Sequence, residues 1–187
     1  MRKVLVLFAH PKFEHSEANQ VLIKAISDLE KVEIRDLYEL YPDFNVKVQK
    51  EQGRLFESEV IIWQHPFYWY SCPPLLKQWI DLVLEFGWAY GPGGVYLKNK
   101  FIMNAITMGG SDTAYSHEGR NNYTVEEFLR PFEQTARLCG MKYLSPFTLK
   151  GTHRIGVEGL NQKAEEYKNL ILQLRDSENL DSLNYIR

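Results

Sequence analysis

The chain has 187 residues, a net charge of −2, and 44% hydrophobic and 25% charged residues, which suits one globular domain and excludes a disordered, fibrous or membrane-spanning composition. The near-neutral balance, with no basic stripe, argues against nucleic acid as a partner and mildly against a strongly acidic electron-carrier surface. No apolar run of about 18 residues and no charged-then-apolar leader is present, and Cys72 and Cys139 make neither a disulfide framework nor a metal pair by spacing, so a reducing cytoplasm is expected.

Lys3–Ala9 is an almost unbroken apolar run, as in a strand buried on both faces of a parallel sheet. It stops at His10-Pro11, because proline has no amide hydrogen to continue a central strand. After the loop Lys12–His15, the residues Ala18, Val21, Leu22, Ala25, Ile26 and Leu29 fall on one helical face, with Ser16 as N-cap. A strand, a short loop and a helix N-terminus make an anion site, since the first helical amides lack intrahelical acceptors. The alternative is that Ser16 only caps the helix, and neither glycine-rich nucleotide fingerprint is present.

Val32–Leu37 alternates like an edge strand, and Tyr38–Phe44, with Pro42, reads as a loop. Residues Lys47–Ser58 follow as a polar helix with Val48, Leu55 and Phe56 facing inward. Glu59–Trp63 is a second buried strand, closed by His65-Pro66 and followed by the aromatic loop Phe67–Pro73. Pro74 opens a helix whose apolar face holds Leu75, Leu76, Trp79, Ile80, Leu82, Val83 and Phe86. The Gly87–Gly94 segment is a functional loop or an interface. Phe101–Thr107 is a buried strand ending in Met108-Gly109-Gly110, and a polar loop, Ser111–Tyr123, follows. Thr124 and Glu127 form a capping box before a helix over Val125–Cys139, stopped by Gly140. Met141–Leu149 is an edge strand interrupted by Pro146. Glu158–Leu174 is the closing helix and the polar tail from Arg175 is loose, which makes residues 1–175 one domain and 176–187 a tail.

Alternation of this kind implies an α/β three-layer sandwich, flavodoxin-like, with a five-stranded parallel sheet in the order 2-1-3-4-5. Ligands then bind outside the strand carboxyl ends at the switch in strand order. Three loops meet there: a helix N-terminus for a phosphate, the flat surfaces of Phe67, Tyr68, Trp69 and Tyr70, and backbone amides beside two glycines. A flavin mononucleotide needs all three. Packing, interface and turn roles are the ordinary readings of each loop alone. His10 and His65 have no third ligand at metal-binding spacing, so no metal is expected and each His-Pro is taken to fix its loop, with His10 also reaching the phosphate. Cys72 reads as a small apolar residue rather than a reactive thiol.

The residues Ala9-His10-Pro11 with Ser16 and Asn19, Trp63-Gln64-His65-Pro66, Trp69-Tyr70-Ser71 with Pro73-Pro74-Leu75-Leu76-Lys77, Gly87-Trp88-Ala89-Tyr90-Gly91, and Thr107 with Gly109-Gly110 resemble the NAD(P)H:quinone oxidoreductase family of flavodoxin-like proteins. Within it the chain is most similar to ancillary flavoproteins of glutathione-gated potassium-efflux systems, to which Leu37–Asn45 adds. The resemblance covers the chain to about Leu174. It implies a homodimer with a flavin at the interface, and ping-pong hydride transfer through flavin N5 from NAD(P)H to a quinone or similar electrophile. The implied flavin contacts are His10, Ser16, Glu17, Ala18, Asn19, Phe67, Tyr68, Trp69, Tyr70, Thr107, Met108, Gly109 and Gly110. Trp88, Tyr90 and Tyr115 line the substrate pocket, some from the partner chain.

The sequence also departs from the family. Animal quinone reductases carry a tyrosine and then a histidine after Gly-Gly, for charge uptake on flavin reduction. Tyr115 matches the tyrosine, but Asn121 stands at the histidine position with His117 nearby. Asparagine hydrogen-bonds but supplies no proton, so His117 or water is left as the source. Tyr68 and Met108 also differ from close relatives. The missing C-terminal extension of the larger members favours FMN, with FAD as the alternative. The expected activity is therefore NAD(P)H dehydrogenase (quinone). The alternatives are a regulatory subunit on the cytoplasmic face of a membrane potassium/proton antiporter, and a low-potential electron carrier.

Overall fold

The computed structural model describes residues 1–180. Strand β1 (Val4–Phe8) pairs in parallel with β2 (Val32–Asp36) on one side and β3 (Val60–Pro66) on the other, and β3 pairs with β4 (Phe101–Thr107). The last position beside β4 is divided between β5 (Lys142–Tyr143) and β6 (Phe147–Leu149). The order is thus β2-β1-β3-β4-β5, with β6 also on β4. This is the doubly wound flavodoxin-like arrangement expected for the alternating pattern.

Side chains alternate across each strand, and both faces of β1 are buried. Val4 and Val6 pack with Ala18, Leu22 and Ile26 of α1 (Glu17–Ile26) and with Leu160, Tyr167 and Ile171 of α7 (Val157–Asp176). Leu5 and Leu7 pack in the opposite layer with α2 (Leu37–Leu40), α3 (Val48–Glu57), α4 (Pro74–Val83), α5 (Val125–Phe128) and α6 (Arg130–Leu138). Each fully buried aliphatic or aromatic side chain contributes about 1.5–3 kcal/mol, which is why a central strand without polar positions is tolerated only under two helical layers.

Several elements differ from the sequence expectation, each for a local reason. Strand β3 runs through His65-Pro66 instead of stopping before it. Pro66 is its last paired residue, opposite Thr107, and the next amide, of Phe67, donates to Thr107 O at 2.8 Å, so the missing N–H costs no ladder bond. The Tyr38–Phe44 segment is not all loop, because Asp36 accepts from the Tyr38 and Glu39 amides at 3.0 and 3.2 Å and caps the turn α2. The helix over Val125–Cys139 is divided at Leu129, and the capping box on Thr124 and Glu127 holds its first turn. Gly140, at φ 70, ends α6 as a left-handed C-cap residue. The edge strand breaks around Pro146 into β5 and β6.

Three apolar side chains expected inside are exposed: Phe56 (61%), Phe86 (68%) and Leu82 (40%). In α3 the inward position belongs instead to Glu51, which is fully buried. Its carboxylate accepts from Arg35 Nε and Nη2, from the Tyr41 hydroxyl and from Trp79 Nε1. A buried charge is tolerable only when satisfied in this way. The closing helix continues to Asp176. Arg175 Nη1 donates to Glu30 O at 3.0 Å and Leu180 is buried, so the chain after Arg175 is packed as far as it is described. The rest of the expected tail, residues 181–187, lies outside the described residues.

Candidate functional site

The carboxyl ends of β1, β3 and β4 open into a cleft of about 660 Å³, between the β1 connection to β2 on one side and the sheet's growth through β3 on the other. Its lining includes His10, Ser16, Glu17, Ala18, Phe67, Tyr68, Thr107, Met108 and Gly109. These come from three loops far apart in the sequence and brought together by sheet order.

The anion end is built by α1. Ser16 caps the helix, its Oγ accepting from the Asn19 amide at 3.4 Å and from Asn19 Nδ2 at 3.0 Å. Asn19 Nδ2 also donates to Thr107 Oγ1 at 2.9 Å. Both hydroxyl oxygens are therefore acceptors on their buried side, which leaves each O–H free to donate into the cleft. Behind them, Gln64 Nε2 donates to Asn19 Oδ1 at 3.5 Å and the Tyr167 hydroxyl donates to Gln64 Oε1 at 2.9 Å. Asn19 and Gln64 are fully buried, so this chain fixes the hydroxyls from the core outward. The amides of Glu17 and Ala18 have no acceptor among the described residues. They meet the cleft at the positive end of the helix.

His10 is buried, and burial lowers its imidazole below the ordinary value. Its Nδ1 accepts from the Lys12 amide at 3.1 Å, so the neutral ring carries its proton on Nε2. His65 is fully buried, with Nε2 against Asn104 Nδ2 at 3.0 Å and Nδ1 against Pro66 O at 2.9 Å. Burial pushes it down to about 4. Both ring nitrogens are committed to protein groups, which makes His65 a structural residue of the β3–β4 pair. Burial pushes the Cys72 thiol up to about 11, so it is no nucleophile.

The second loop makes one tight turn over Tyr68–Tyr70, with Trp69 and Tyr70 in the left-handed region at φ 46 and 63. Non-glycine residues adopt this at a cost of about 1–3 kcal/mol, and such strain gathers at ligand sites. Trp69 is 93% exposed. The turn leaves the Trp69 and Tyr70 amides without an acceptor among the described residues, and the same holds for Gly109 and Gly110 in the third loop. A Cβ on Gly109 would lie 2.8 Å from the His153 ring, and one on Gly110 2.7 Å from the Tyr115 ring. Backbone is bare at these positions because side chains close over it.

A second, contiguous pocket of about 280 Å³ joins Phe67, Trp69, Tyr70, Gly110, Tyr115, Arg120 and Asn121. Asn121 Oδ1 accepts from the Tyr70 hydroxyl at 3.3 Å. Burial raises the Tyr115 phenol, which therefore stays protonated through the neutral range. His117 is not drawn into this pocket. It is exposed, with Nε2 3.7 Å from Glu127 and Nδ1 3.3 Å from Asn122 O. Trp88 and Tyr90 also stand apart, Trp88 stacked on Tyr96 in a groove with Phe56, and Tyr90 edge-on to Phe86. Sequence reasoning missed the support from Gln64 and Tyr167, and the loop after β6, whose Thr152, His153 and Ile155 line the main cleft. A polar stretch just beyond the last strand was the available signal for that loop.

Unpaired helix amides, two outward hydroxyls, free backbone donors and a flat aromatic wall fit a phosphorylated heteroaromatic group such as FMN. The profile of the family described as having the flavodoxin-like fold matches residues 2–172. The glutathione-regulated potassium-efflux system ancillary protein KefF of Klebsiella aerogenes is 41% identical over 174 residues, 93% of this chain and 97% of that protein. General stress protein 14 of Treponema denticola, solved in complex with FMN, superposes with a TM-score of 0.89 at 35% identity, covering 92% of this chain and 99% of that one. An NADPH-quinone reductase from P. pentosaceus superposes with a TM-score of 0.83 at 27% identity, over 90% and 96%. A family match over residues 2–172, 41% identity over 93% of the chain and this chain's own sheet order place the protein in the flavodoxin-like family.

Proposed function

We propose that the protein is an FMN-dependent NAD(P)H:quinone oxidoreductase. The observation that carries this reading is the convergence of outward hydroxyls, free amides and aromatic rings on one crevice. Ser16, Thr107 and the amides of Glu17 and Ala18 hold the phosphate, with His10 Nε2–H beside them. Phe67, Tyr68, Trp69 and Tyr70 supply the wall and edge donors for the ring. FMN held there would supply two-electron hydride chemistry between a dihydronicotinamide and the acceptor.

The free amides of Gly109 and Gly110 would donate to a bound ring as it gains negative charge. Tyr115, held protonated, lines the pocket and would be a hydrogen-bond donor to a group bound there. Asn121 orients the Tyr70 hydroxyl and releases no proton. A quinone becomes a hydroquinone with one hydride and one proton. With His117 turned away, water in the open pocket supplies that proton. The exposed Trp69, Phe86 and Tyr96 support a homodimer in which Trp88 and Tyr90 complete the partner's pocket.

The test is to purify the protein, release its flavin by heat, and follow NADH and NADPH oxidation with and without a benzoquinone. Released FMN and quinone-dependent turnover are expected; failure of either nucleotide to reduce the bound flavin refutes the reading. The likeness to KefF over nearly its full length favours an added role as a cytoplasmic ancillary subunit at the inner face of a membrane antiporter. Among the described residues no helix is long and apolar enough to cross a membrane, so this role requires peripheral docking. Co-expression with a glutathione-gated potassium antiporter should raise potassium efflux, and unchanged efflux would discard that role.

A further inference from the structure

Beside the aromatic pocket lies a third cleft of about 490 Å³, formed where β4 and β6 end together. It shares Gly110, Ala114 and Arg120 with the aromatic pocket and Gly109 with the main cleft, so the three are continuous. Its distinguishing groups are two arginines, Arg120 and Arg154. Neither has a carboxylate partner among the described residues. The nearby acid, Asp112, is taken up by Lys150 at 2.8 Å, which leaves the cleft's positive charge uncompensated. Ser111 and Thr113, whose hydroxyls bond one another at 3.0 Å, complete the lining as polar groups.

Two guanidiniums in a cleft with uncompensated charge and bare glycine backbone beside them make a receptor for a multiply charged oxyanion, since the planar fork matches phosphate oxygens. We infer that Arg120 and Arg154 hold the phosphate groups of the pyridine nucleotide while its nicotinamide end enters the aromatic pocket. This rests on the reductase reading for the identity of the nucleotide, whereas the phosphate chemistry stands on the cleft itself. The phosphate comes from the diphosphate bridge, common to both nucleotides, or from the 2′-phosphate of NADPH alone.

Calorimetric titration with ADP-ribose and with 2′-phospho-ADP-ribose separates these sources and needs no hydride transfer. The variants are Arg120→Gln and Arg154→Gln, with Lys24→Gln as a charge-matched control on the exposed side of α1. Each arginine variant should weaken binding by about tenfold and flatten its salt dependence, while the control binds as the parent does. Equal losses for both ligands assign the cleft to the diphosphate; a loss for the 2′-phosphorylated ligand alone assigns it to NADPH. Unchanged affinity in both arginine variants, or an equal loss in the control, overturns the inference. Arginine-dependent binding in a protein whose flavin no nucleotide reduces would retain the cleft assignment and refute the reductase reading instead.

Discussion

The polarity of the anion site depends on one side chain, and exchanging a single atom should invert it. Asn19 donates both amide hydrogens, to Ser16 Oγ at 3.0 Å and Thr107 Oγ1 at 2.9 Å, so the two hydroxyls present their hydrogens to the cleft. Asn19→Asp preserves shape and volume but replaces the donor with an acceptor. Both hydroxyls then turn inward to the carboxylate and offer lone pairs to a phosphate. The new charge also sits one hydrogen bond of 3.0 Å behind Ser16 Oγ. A phosphate oxygen on that hydroxyl is then about 5.5 Å away, and at an effective dielectric of about 20 the repulsion is about 3 kcal/mol. That corresponds to roughly a 150-fold loss of affinity. Asn19→Ala removes more atoms but adds no charge, and should cost FMN about tenfold, through hydroxyls freed to rotate.

The assay is fluorescence titration of the flavin-free protein with FMN and with riboflavin near neutral pH. Riboflavin lacks the phosphate and should lose less than about fivefold in the aspartate variant. The reasoning is refuted if FMN and riboflavin weaken together, or if alanine proves worse than aspartate.

Further outcomes are expected elsewhere in the molecule. Glu51→Ala strands the buried Arg35 guanidinium and leaves the Tyr41 and Trp79 donors unpaired, which should cost about 3–5 kcal/mol. For a chain of this size that lowers the thermal midpoint by about 6–20 °C. The apolar pair Arg35→Met with Glu51→Leu should recover at least half of the loss, and no recovery would count against the buried-charge argument. His65, held neutral with its value pushed down to about 4 from an ordinary 6.5, contributes stability that is complete above 6.5 and lost as pH falls toward 4. The loss is about 3 kcal/mol, and denaturant midpoints of His65→Gln should fall less steeply over that window than those of the parent. His10 shifts the same way, so the comparison between the two proteins isolates His65. Gly110→Ala drives a Cβ to within 2.7 Å of the Tyr115 ring; kcat/KM for a quinone should fall about tenfold or more with the fold intact, and an unaltered value would remove Tyr115 from the pocket's function.

The layered sheet, its strand order and the three loops over the crevice were legible because their signals are local. Lys3–Ala9 shows an unbroken apolar run, Ser16 and Thr124 show caps, and His10-Pro11 and Gly109-Gly110 mark where strands give way to loops. Resemblance to a known family then implied a set of flavin contacts, of which His10, Ser16, Glu17, Ala18, Phe67, Tyr68, Thr107, Met108 and Gly109 line the main cleft. The network behind them was not legible. Asn19 meets Thr107 across 88 positions and Gln64 meets Tyr167 across 103, and no local pattern encodes a register. The helix over Lys47–Ser58 read as polar with Phe56 facing inward, yet Arg35, Tyr41 and Trp79 close over its Glu51 while Phe56 turns to solvent. Arg120 and Arg154 carry no local signal in the sequence, and only the pairing of β4 with β6 sets their loops side by side. Periodicity, caps and breakers act within a few residues of chain and so specify elements and their ends. Which buried polar atom finds a partner, and which charge is left without one, depends on distances across the sheet that exist only after the chain has folded.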